Sequence, residues 1–131
     1  MSRRRKAVRK PTLMTVDDSL IVRRKIERSL GDTVDVVASA SDGKEAIEMF
    51  EKHLPDIVTM DLTMPRMDGA TCISELKKRS SSVAVLVISA LSDQSTALDA
   101  VSRGAVGFLL KPFSDDELVN AIERIAKRLK S

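Results

Sequence analysis

The chain has no tryptophan and no tyrosine, and its three phenylalanines (Phe50, Phe108 and Phe113) make aromatics only 2% of 131 residues. That is too little aromatic surface for a protein that holds single-stranded nucleic acid by stacking its bases. A single cysteine, Cys72, excludes an internal disulfide, and with one histidine, His53, there is no Cys/His zinc cluster. No stretch approaches the ~18 consecutive apolar residues of a membrane span, and no charged start leads into an apolar signal core. The expectation is a cytoplasmic protein with no membrane insertion. What is present is ordinary globular material: 43% hydrophobic and 31% charged residues, at the length of one domain.

The net charge of +3 conceals an uneven distribution. Arg3, Arg4, Arg5, Lys6, Arg9 and Lys10 put six positive charges and no acid in the first ten residues; the remainder holds 16 basic against 19 acidic residues, a body at −3. The basicity therefore belongs to an arm. The expected division is a disordered basic arm at 1–11, with Pro11 at the junction, and one folded domain at 12–131. Such an arm is ordinarily a solvated tail. Any nucleic-acid contact it made would be weak, non-specific and strongly salt-dependent, since no basic stripe lies on the fold and no helix-turn-helix follows it.

Along the body, short apolar runs alternate with stretches of helical spacing. Leu13–Val16, Val34–Ala40, Ile57–Met60, Val83–Ile88 and Val106–Leu110 read as strands. Between and after them come five helices. The inward faces are read as Val22, Ile26 and Leu30; Ala46, Ile47 and Phe50; Cys72, Ile73 and Leu76; Ala97, Leu98 and Val101; and Leu118, Ile122, Ile125 and Leu129. Asp42 is placed as an N-cap, and Ser114-Asp115-Asp116-Glu117 as a capping box. Cys72 is expected to be core packing and His53 a cation at a helix end. Arg23, Arg24 and Lys25 are placed on the solvated side of the first helix. Short strands apolar on both faces, separated by crossover helices, predict an α/β doubly wound parallel five-stranded sheet.

In such sheets ligands bind beyond the carboxyl ends of the strands. Asp17 and Asp18 follow the first strand, Asp61 the third, Ser89 the fourth and Lys111 the fifth, so these side chains converge on one rim. Each alone has an ordinary structural reading: Asp18 as a helix cap, Ser89 as a strand end, Lys111 as a solvated charge. Together they form a chemical set. Crowded carboxylates require a proton or a cation, and oxygen ligands without thiolate or imidazole favour Mg²⁺. A lysine and a hydroxyl beside them suit phosphoryl oxygens. The set reads as phosphoryl transfer to an aspartate.

The pattern Asp17-Asp18, Met60-Asp61-Leu62-Thr63-Met64-Pro65 with Asp68-Gly69, Ser89-Ala90 and Lys111-Pro112-Phe113 resembles the receiver domain of two-component response regulators, in its free-standing, CheY-like chemotaxis type. The resemblance covers about residues 12–129. It implies a flavodoxin-like (βα)5 fold with strand order 2-1-3-4-5, taken from the family. It implies Asp61 as phospho-acceptor, with Asp17, Asp18, Asp61 and the Thr63 backbone carbonyl holding Mg²⁺. Lys111 would contact the phosphoryl group and Ser89 would be the switch hydroxyl, with Phe108 as the aromatic switch. The Lys111–Pro112 bond would be cis. The implied partners are a histidine kinase as phosphodonor and a target protein met by the fourth helix, fifth strand and fifth helix. Thr63 and Leu91 would flank the path of attacking water and give moderately slow self-dephosphorylation. Motility signalling, a phosphorelay intermediate and a phosphate sink all fit the family. An aspartate-nucleophile phosphohydrolase of the haloacid-dehalogenase type fits poorly, because it wants a carboxylate two residues after the nucleophile and that position is Thr63.

Overall fold

The computed structural model describes residues 10–62, 69–90 and 94–130. The expected site position Thr63, the water-path position Leu91 and most of the basic arm lie outside the described residues. Ten elements alternate: β1 (Thr12–Val16), α1 (Leu20–Leu30), β2 (Asp35–Ala40), α2 (Gly43–His53), β3 (Ile57–Asp61), α3 (Gly69–Arg79), β4 (Ala84–Ala90), α4 (Gln94–Ser102), β5 (Gly107–Lys111) and α5 (Asp115–Lys130). The strands form one parallel sheet in the order β2-β1-β3-β4-β5.

The alternation along β4 shows why the sheet is sandwiched. Val85 and Val87 point into one core with Phe50 of α2, Cys72, Ile73 and Leu76 of α3, and Ala97 and Ala100 of α4. Ala84, Leu86 and Ile88 point into the other, with Ile26 and Leu30 of α1 and Leu118, Ile122 and Ile125 of α5. Each fully buried Leu, Ile or Phe in these layers contributes about 1.5–3 kcal/mol, so neither face can be left uncovered.

Helix ends follow their local chemistry. Ser19 caps α1 by accepting from the Val22 amide at 3.3 Å. Asp42 caps α2, accepting from the Glu45 amide at 2.8 Å, while the Glu45 carboxylate accepts from the Ser41 amide at 2.7 Å. The capping box of α5 forms as expected, with Glu117 N–H to Ser114 Oγ at 3.1 Å and Ser114 N–H to Glu117 Oε1 at 2.8 Å. The chain is already tied down at Pro11, whose carbonyl accepts from the Asp35 amide at 2.9 Å.

Three expectations about faces are corrected. On α4 the buried residues are Ala97 and Ala100, whereas Leu98 is 60% and Val101 38% exposed. On α5, Leu129 is likewise exposed, about one turn beyond the buried Ile125. On α1, only Arg24 of the basic trio is fully turned to solvent. Arg23 reaches inward to the Asp17 carbonyl, and Lys25 lies 5.2 Å above the Phe113 ring and 3.7 Å from the Asp115 carboxylate.

Candidate functional site

Parallel strands end at a common rim, and the register sets what meets there. Leu13 to Val16 of β1 pair with Ile57 to Met60 of β3 in step, so Asp17 and Asp61 stand side by side where the two strands finish. The Asp17 amide still donates to Ala40 of β2 at 3.1 Å, and its Oδ1 accepts from the Ser19 amide at 2.8 Å. Asp17 is thus held as the strand turns into α1. Both Asp17 and Asp61 are buried, Asp18 is exposed, and one carboxylate oxygen from each of the three lies within 4.8 Å of the others.

Lys111 at the end of β5 reaches across β4 to this cluster. Its Nζ is 3.3 Å from Asp17 Oδ2 and 3.6 Å from Asp61 Oδ1. Burial alone would draw the ammonium pKa down, but the charges of Asp61 and Asp17 and their hydrogen bonds outweigh it and hold the pKa above the ordinary lysine value. The lysine is therefore a fixed cation between two carboxylates. The peptide bond that follows it, Lys111–Pro112, is cis, as expected.

Ser89, on β4 between these strands, is 1% exposed, and its Oγ has no hydrogen-bond partner among the described residues. A buried hydroxyl without a partner is uncommon, because it forfeits water without replacing it. At the sheet edge, Phe108 of β5 pairs with Val87, two residues before Ser89, and is 39% exposed. It borders a cavity of about 200 Å³ with Val106, Ile125, Arg124 and Arg128.

The structure brings together Asp17, Asp18, Asp61 and Lys111, with Ser89 on the neighbouring strand and Phe108 outside it. A cluster of oxygen donors with one exposed member suits a hard divalent cation that keeps part of its water. The residue that sequence reasoning missed is Arg23, which donates from Nη1 to the Asp17 carbonyl. Its position one turn inside α1 was the available signal, since helical side chains lean back toward the N-terminus.

Among the described residues no helix is long and apolar enough to cross a membrane. The family model for the response regulator receiver domain matches residues 13–123. The chemotaxis protein CheY of Bacillus subtilis is 39% identical over 113 residues, covering 86% of this chain and 94% of that protein. The transcriptional regulatory protein PdtaR of Mycobacterium tuberculosis is 36% identical over 124 residues, covering 95% of this chain but 60% of that longer protein. A chain of the CheX–CheY–BeF3–Mg²⁺ complex from Borrelia burgdorferi superposes with a TM-score of 0.86 at 28% identity, covering 93% of each chain. By motif, topology and similarity alike, this chain belongs to the response regulator receiver domain family.

Proposed function

We propose that the protein is a phosphorylation switch, with a receiver domain from residue 12 onward behind a basic arm, in which Asp61 accepts a phosphoryl group from a histidine kinase. The observation that carries this reading is Lys111, poised between Asp17 and Asp61 at the rim. An Asp61 carboxylate oxygen attacks phosphorus, the P–N bond of the phosphohistidine breaks, and the imidazole departs with its electron pair. Lys111 then turns its ammonium to a phosphoryl oxygen, and the Ser89 hydroxyl, unpartnered among the described residues, donates to another. Mg²⁺, held by Asp17, Asp18, Asp61 and the Thr63 carbonyl, would neutralise the crowded oxygens during transfer.

Capture of the Ser89 hydroxyl draws the end of β4 inward and opens room for Phe108 to move from its half-exposed position. The surface of α4, β5 and α5 changes with it, and a target protein binds one state better than the other. CheY of Bacillus subtilis carries chemotaxis in its name, which favours a motility pathway; a phosphorelay intermediate or a phosphate sink in another two-component pathway is the second reading, supported by similarity to regulators of other kinds. The test is intact mass after incubation with acetyl phosphate and Mg²⁺. Gain of one phosphate, abolished by Asp61→Asn and by a chelator, is expected; no gain under any condition would overturn the reading.

A further inference from the structure

Arg23 is the one member of the basic trio on α1 that turns toward the rim. Its Nη1 donates to the main-chain carbonyl of Asp17, six residues earlier. Its Nε is buried and has no partner among the described residues. A buried charged donor left unpaired is unfavourable, and its persistence calls for a compensating role at the other end of the guanidinium.

The other polar groups of Asp17 show what that role is. Its amide donates to Ala40 at 3.1 Å, its Oδ1 accepts from Ser19 at 2.8 Å, and its Oδ2 faces Lys111 at 3.3 Å. Of these three, only the Ser19 contact spans the peptide plane between Asp17 and Asp18, and it leaves the carbonyl of that plane unbound. The Asp17 carbonyl belongs to that plane, and Arg23 holds it. Rotation about the Asp17 Cα–C bond, which would take this carbonyl from Arg23, would swing the Asp18 α-carbon and carry its carboxylate away from Asp17 and Asp61. Asp18 is also the only exposed carboxylate of the three, and so the least restrained by packing.

We infer that Arg23 is a positioning residue of the acidic site: through the Asp17 carbonyl it sets the direction of the Asp18 carboxylate and thereby the affinity for a divalent cation. This rests on the reading of the acidic cluster as a cation site. Groups that orient metal ligands without touching the metal commonly change affinity by about 10–100-fold.

The test is calorimetric titration of the full chain with Mg²⁺, alongside thermal melting without the ion. Arg23→Met is expected to weaken Mg²⁺ binding on the order of tenfold. Arg23→Lys, which keeps a donor of similar reach, is expected to recover part of that loss. In an Asp18→Ala background the Arg23→Met effect should vanish, because the residue it orients is gone. Should Arg23→Met fail to fold, Arg23→Gln, two bonds too short to reach the carbonyl, should show the same loss. Unchanged or tighter Mg²⁺ binding in the Met or Gln variant would overturn the inference, as would the full loss persisting without Asp18. A wild-type protein that binds no Mg²⁺ would overturn both the cation site and the role of Arg23.

Discussion

Gly69, the first residue of α3, is packed so closely against the end of β3 that a β-carbon there would stand 2.5 Å from the Asp61 carbonyl oxygen and 2.7 Å from the Leu62 α-carbon. Both contacts are backbone, and neither can step aside as a flexible side chain would. The Gly69 amide also donates to the Leu62 carbonyl at 3.0 Å, joining the helix to the strand end that carries Asp61. Gly69→Ala is therefore expected to destabilise the fold by about 1–3 kcal/mol, the range for overpacking a filled site. It should also slow acetyl-phosphate labelling of Asp61. Urea unfolding followed by circular dichroism, with intact mass as the second readout, checks both.

Lys111 gives the site a pH signature. Its pKa is raised above 10.5 in the fold, since the carboxylates outweigh its burial. A raised lysine contributes its stabilisation fully below the unfolded pKa and loses it as pH climbs through the folded one. Wild-type protein should lose stability above about pH 10.4 in part through this group, and Lys111→Met should lack that component. Urea midpoints from pH 7 to 11 for the two proteins give the difference curve; parallel curves would remove Lys111 as the cause. At pH 7 the same variant should bind Mg²⁺ more tightly, because it no longer carries a competing cation.

Ser89→Ala separates the fold from the switch. Its hydroxyl is buried without a partner among the described residues, and an unpaired buried group of this kind costs about 1–3 kcal/mol. Removing it should leave thermal stability unchanged or raise it by about 1 kcal/mol. Phosphate should still reach Asp61, but target binding should no longer differ between the two states. A clear fall in melting temperature would show that the hydroxyl is structurally engaged.

On α4 the usual expectation for large and small apolar residues reverses. Leu98→Ala should change stability by less than about 0.5 kcal/mol, because the leucine is mostly in solvent. Ala100→Leu should cost about 1–3 kcal/mol, because the alanine is fully buried against the sheet. Chemical denaturation of the pair decides the matter, and equal effects would be incompatible with the packing described.

That reversal shows where sequence reading succeeds and where it stops. Strand positions were legible because runs such as Val83–Ile88 have no other home than a sheet covered on both faces, although β4 itself starts one residue later and continues through Ser89 to Ala90. The rim residues were legible because strand ends are predictable once strands are. The buried face of α4 was not, because hydrophobicity ranks Leu98 above Ala100 whereas close approach to the sheet favours the smaller side chain. Arg23 was missed for a related reason: charged helix residues default to solvent, and the backward lean of a helical side chain points Arg23 at the Asp17 carbonyl only once the start of α1 is fixed. Thr63 and Leu91 fall outside the described residues, so their expected influence on hydrolysis rests on the sequence.

The two methyl groups of Ala97 and Ala100 are all that α4 buries among its described side chains, whereas α5 sinks Leu118, Ile122 and Ile125 into the opposite layer. A helix gripped by so little apolar surface has a low free energy of local opening, on a scale that one hydrogen bond rearranged at the rim can match. Its amides should exchange with deuterium well before those of α5. As part of the proposed target-binding surface, α4 should thus be fastened loosely enough to follow one hydrogen bond rearranged at the rim.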